Sequence, residues 1–275
     1  MKKLATLVCL LAIGSAAFFS CQSSDDATTN RQVPNSVAAK LQDLGFNIYK
    51  QAPIRFEEGY LVEGDIYLTN EDIAVMKRGV HIPQQEQYST NNLVKATTPR
   101  NISVYVPSTF SAAYIAAVDE AISRYNAEHL NLTFSRVDAS FPRPTIVLRR
   151  LSSGDENIGI LGSAGFPTSY GSPYGTIKLS GILQSVYGLD VNGIATIIAH
   201  EMGHCIGFRH TDYFDRSISC GGDAYDEGDG GVGANHIPGT PEGANLSDLS
   251  WMLSCTDGGD RPFNTDDKTA LNYLY

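Results

Sequence analysis

Three of the chain's six histidines fall in one short window, His200-Glu201-Met202-Gly203-His204-Cys205-Ile206-Gly207-Phe208-Arg209-His210. His200 and His204 are four residues apart, so on a helix they stand one turn apart on one face and can reach a single ion. Glu201 is rotated about 100° from His200. It cannot share the ion with both imidazoles, but it can touch a water beside it. Gly207 can end the helix in the left-handed conformation, turning the chain so that His210 arrives as a third ligand. Three neutral nitrogens suit Zn2+ and leave a fourth position open, as a catalytic site needs. Zinc there would acidify water and polarise a carbonyl, with Glu201 as general base. Five fixed positions recur by chance on the order of once in 10⁵ chains of this size. Histidines buried in a helix core are the bland alternative. A purely structural zinc would leave Glu201 and Gly207 without a role.

These residues match the long zinc signature of the metzincins. The window most resembles the bacterial dual-action HEIGH metallopeptidases, with astacins as nearer relatives than serralysins. Met202 stands where that family's name has Ile. The resemblance spans roughly Arg100 to Tyr275 and implies an α+β zinc endopeptidase with a twisted sheet, an active-site helix and a C-terminal helix. Protein or peptide substrates follow from it. It also implies a Met-turn beneath the metal, and Trp251-Met252-Leu253 sits in that place, with Met252 the candidate. Astacins carry a tyrosine two residues after this Met; Ser254 occupies it here. Val62-Glu63-Gly64-Asp65 resembles the aspartate switch of astacin prosegments, Val62 replacing Phe, so Asp65 is a candidate ligand that blocks the fourth zinc position. A strand-edge aspartate is the equal alternative.

The N-terminus points to export. Lys2 and Lys3 precede an apolar run from Leu4 to Ile13, too short for a membrane span, and Phe18-Phe19-Ser20-Cys21 resembles a lipobox. Residues 1–20 then form a lipoprotein signal peptide, and Cys21 carries a lipid that anchors the chain to a bacterial outer membrane or cell surface. An ordinary signal peptide with an incidental cysteine is the alternative. Residues 21–33 form a polar tether whose Ser23-Ser24-Asp25-Asp26 resembles an acidic sorting tag. Of the remaining cysteines, Cys205, Cys220 and Cys255, one pair at most can bridge. Cys220 with Cys255 is the expected pair, leaving Cys205 free.

Four further segments follow. Residues 34–83 form a small prosegment-like unit: a helix capped by Ser36 and ended by Gly45, a single strand over 60–69, and a helix opened by the Thr69/Asp72 box and stopped at Gly79. Residues 84–99 are polar and aperiodic, a linker offering Lys95 and Arg100 to a protease. Residues 100–275 form the catalytic domain. Strands are expected at Ile102–Val106, Leu130–Val137, Thr145–Leu151 and Gly175–Ser180, with helices over 111–128, from Asp190 into the histidines, and from Thr265. The Gly159–Gly175 stretch can edge a cleft and offer backbone to an extended peptide.

Net charge is −10 with no basic stripe, which argues against nucleic acid. Asp212, Asp215, Asp223, Asp226, Glu227 and Asp229 form an acidic stretch, a solvated loop with Ca2+ as the second reading. Asp212 is also a candidate to orient His210. His81, His129 and His236 lack spacing partners. The chain is expected to act as a monomer. Two other functions remain open: a non-catalytic surface lipoprotein that binds protein or glycan, and a zinc hydrolase of non-peptide amides.

Overall fold

A computed structural model describes residues 31–77, 87–138, 143–241 and 249–275; the expected signal peptide, Cys21, Gly79 and His81 lie outside them. The main sheet has five strands in the order β6-β5-β7-β9-β8: β5 is Arg100–Tyr105, β6 Leu132–Val137, β7 Ile146–Arg150, β8 Gly162–Ser163 and β9 Thr176–Leu179. Four are parallel and β8 is an antiparallel edge. Their alternating Ile102, Val104, Leu132, Phe134, Ile146, Leu148, Ile177 and Leu179 are buried against two helices, α3 (Ala112–Ala127) and α5 (Val191–Ile206). α5 is buried from Gly193 to Ile206, so the core and the histidine window share one helix. Its start is set by Asp190, which accepts from the Gly193 amide at 2.9 Å. Its end is set by Gly207 at φ 116°, the left-handed geometry that a side chain would strain. The last helix, α7 (Thr265–Leu274), is capped one residue earlier than Thr265, by Asn264 in a reciprocal box with Asp267.

The N-terminal residues build a satellite core. α1 (Asn35–Leu44) follows Pro34 as its cap residue, not Ser36, and stops at Gly45. The single strand expected over 60–69 is a hairpin: β2 (Gly59–Val62) and β3 (Ile66–Leu68) pair antiparallel, with β1 (Ile54–Phe56) outside β2. Glu63 and Gly64 both take positive φ and reverse the chain. Because Tyr60 pairs with Leu68 and Val62 with Ile66, the inward alternation survives the reversal, which is why it imitates one strand. α2 (Asn70–Val75) has the Thr69/Asp72 capping box and ends before Gly79. Leu41, Leu44, Phe46, Tyr60, Val62, Ile66, Leu68 and Ile73 close over one another and reach Phe166 of the main body.

The described part of the expected linker is packed structure. β4 (Tyr88–Ser89) pairs with β10 (Asn235–His236), and Gln87 through Thr90 are buried. Tyr88 stacks edge-on at 4.3 Å against Tyr213, and its carbonyl accepts from the Arg209 amide at 2.9 Å. Thr90 donates its amide to Gly207, and Gln87 donates to Asp267. Residues 87–90 lack periodicity because fixed loop partners, not a repeating apolar face, hold their backbone. The Gly159–Gly175 stretch contains β8 and is preceded by α4 (Ser153–Asn157); α6 (Ser217–Cys220) lies in the long loop after the histidines.

Candidate metal centre and cleft

The three histidines meet. His200 Nε2 and His204 Nε2 are 3.0 Å apart, and the His210 ring centre lies 5.3 and 5.0 Å from theirs. Each Nδ1 is tied to an acceptor: His200 to the Trp251 carbonyl and His204 to the Phe208 carbonyl, both at 2.9 Å, and His210 to Glu227 at 2.9 and 3.0 Å. With Nδ1–H donating outward, every Nε2 lone pair turns toward the common centre, the tautomer a metal requires. Asp65 Oδ2 reaches the same point, 3.0 Å from His210 Nε2 and 3.6 Å from His200 Nε2. The four donors lie within 4.8 Å of one another. Asp65 Oδ1 and Glu201 Oε2 are buried without a hydrogen-bond partner, as expected where a cation and its water belong. The residues therefore fit zinc.

Glu201 is buried one residue along the helix from His200. Burial, reinforced by the Asp65 carboxylate, pushes its carboxyl well above the ordinary range. The Glu201 carboxylate fits because Gly162 on β8 has no side chain; a Cβ there would collide with its Oε1. Met252 is fully buried against α5, where a Cβ on Gly203 would stand 2.5 Å from its Sδ. The Met252 carbonyl accepts from Thr211 at 2.8 Å, fixing the chain after His210.

Glu227 is the residue that sequence reasoning failed to single out. It sits in the acidic stretch, of which only Glu227 and Asp212 are buried. Burial alone would raise its carboxyl, but His210, Arg216 and Arg209 hold it down at about 2. Asp212, the expected partner of His210, instead accepts from the Ser254 amide and hydroxyl and from the Ser219 hydroxyl at 2.6–2.9 Å. Ser254, in the place of the astacin tyrosine, also donates to Glu227 at 3.2 Å. Cys220 and Cys255 are bridged; Cys205 is a free, buried thiol. His129 is exposed, and His236 bonds Thr240 at 3.0 Å. The acidic stretch, Glu227 apart, contributes to no metal-donor cluster among the described residues, so the calcium reading gains no support.

A cleft of about 380 Å³ opens beside the centre, lined by Ile160, Ile197, Leu253, Glu201, Arg216 and Arg261 among others. Its rim engages the N-terminal hairpin. Ala164 donates to the Asp65 carbonyl at 3.1 Å and accepts from the Tyr67 amide at 2.8 Å, so residues 65–67 add to the sheet edge beyond β8.

The buried histidine helix and the convergent donors above it are the site of a metallopeptidase. The chain belongs to the dual-action HEIGH metallopeptidases, whose family model matches residues 60–275. That match begins inside the N-terminal hairpin. Two solved structures of myroilysin are similar, at 13% and 11% identity, covering 65% and 74% of this chain and 95% of theirs, with TM-scores of 0.37 and 0.35. High choriolytic enzyme 1, a hatching-enzyme zinc protease of Oryzias latipes (medaka fish), is similar at 17% identity, covering 64% of this chain and 88% of its own, with a TM-score of 0.34. No curated protein matches the chain.

Proposed function

We propose that the chain is an exported, lipid-anchored zinc endopeptidase in which His200, His204 and His210 hold the metal, Glu201 is the general base and Asp65 keeps the site closed. The observation that carries this reading is the convergence of three Nε2 atoms with the unpartnered Glu201 carboxylate beside them. Bound zinc supplies Lewis acidity that activates water and polarises the scissile carbonyl. Glu201 takes a proton from the attacking water and delivers it to the leaving amine as the C–N bond breaks. Trp251, Phe208 and Glu227 hold the imidazoles, so the ligands need no reorganisation. Lipidation at Cys21 would keep the monomeric chain at the cell surface, with residues 21–33 as its tether. The N-terminal unit acts as a prosegment.

Casein hydrolysis by the full-length Asp65→Ala chain is expected to disappear with a chelator and return with zinc. Asp65→Ala in the uncut chain is expected to raise turnover at least tenfold, because one anionic ligand near the metal shifts the closed-to-open balance by more than about 1.4 kcal/mol. Equal turnover before and after the substitution would make the N-terminal unit a spacer.

A further inference from the structure

The prosegment reading leaves a second anchor unexplained. Glu63, two residues before Asp65, forks onto Arg209 Nη2 at 2.8 and 2.9 Å, and Arg216 Nη1 donates to the Glu63 carbonyl at 2.7 Å. Neither arginine depends on Glu63 for its position. Arg209 donates to the carbonyls of Gly228, Asp229 and Gly233 at 3.0–3.1 Å, and Arg216 pairs with Glu227. Both guanidinium groups are buried with their Nε atoms unpartnered, and Arg216 lines the cleft. A carboxylate oxygen of Glu63 lies within 4.8 Å of a His210 ring nitrogen, so this anion pocket adjoins the metal centre.

From this geometry we infer that Arg209 and Arg216 form a carboxylate-binding subsite of the substrate cleft, which Glu63 fills in the closed chain. When residues 63–67 leave, two carboxylates go with them, while two guanidinium groups and the metal remain against Glu227 and Glu201. Buried guanidinium without a counter-anion is costly, so the emptied pocket selects a carboxylate over a neutral isostere. The departing segment is itself extended along the sheet edge, the pose in which a peptide presents alternate side chains to such pockets. The occupant is a carboxylate of the peptide substrate, either an acidic side chain near the scissile bond or a terminal carboxylate. This inference rests on the peptidase reading.

The first test uses the full-length Glu63→Ala chain. Saturating acetate, the acid that replaces the missing Cγ and carboxylate, is expected to raise its Tm by at least about 3 °C, with acetamide at matched ionic strength giving no rise. The wild-type chain, its pocket filled, should show none with either. Equal behaviour of the two probes on Glu63→Ala overturns the subsite. The second test needs no empty pocket to survive folding: full-length Asp65→Ala/Glu63→Gln is given peptide pairs differing only in Glu or Gln near the cut, or in a free or amidated C-terminus. One pair is expected to favour the acid at least tenfold, and which pair does so identifies the source. Equal rates or affinities within both pairs overturn the inference. Acid-selective binding without any cleavage would uphold the subsite and sink the peptidase reading.

Discussion

Glu227 shows how far a single residue can matter outside the motif. It fixes the His210 tautomer and balances two buried arginines. Glu227→Gln keeps the shape but weakens the grip on Nδ1–H, and zinc affinity measured by competition with a chromophoric chelator is expected to fall ten- to a hundredfold. Unchanged affinity would remove Glu227 from that role. The three histidines were legible because their relation is local: helical spacing and one glycine fix it. Glu227 was not, because the loop carrying it has no period and its burial follows from contacts with His210, Arg209 and Arg216. Gly162 was equally hidden, since only the approach of Glu201 from another element demands a glycine there.

At the scale of elements, caps and periodicity predicted well where an element satisfies itself. The Thr69/Asp72 box opens α2, Asp190 opens α5, and Gly45 and Gly207 end their helices where expected. Failures came where two elements share one pattern, as in the hairpin over 59–68, or where pairing is long-range, as between β4 and β10. The Cys220–Cys255 bridge joins α6 to the segment after Met252 across a sequence separation of 35. Close by, the Cys255 amide donates to the Ser219 hydroxyl, which donates to Asp212, so bridge and hydrogen bonds together pin the loop. Replacing both cysteines by serine is expected to lower unfolding free energy by about 3–4 kcal/mol in urea titration. A loss below about 1 kcal/mol would mean the hydrogen bonds alone hold that loop.

For the whole molecule, the order of strands and helices was legible, but the boundary of the catalytic body was not. The sequence suggested a body beginning near Arg100, released by a cut at Lys95 or Arg100. The structure ties residues 87–94 into it: Tyr88 and Thr90 brace the backbone on either side of Phe208, and the Val94 amide donates to the Tyr275 hydroxyl. Arg100 itself begins β5 and donates to the carbonyls of Lys95 and Gly171, so a cut there would have to break the sheet's first strand. A chain beginning at Gln87 is therefore expected to keep a cooperative thermal transition and bind zinc. One beginning at Arg100 is expected to melt at least about 5 °C lower, having lost a strand pair and the Tyr88–Tyr213 contact. Equal melting would return 87–99 to the status of a linker.

The central claim is that Glu201 performs proton transfer beside a metal held by three histidines. It is tested by measuring zinc content and peptide turnover on the same purified Glu201→Gln preparation. The account predicts roughly one zinc per chain, as in the wild type, because no ligand has changed, and turnover reduced at least 10³-fold. Full zinc with substantial turnover would contradict it.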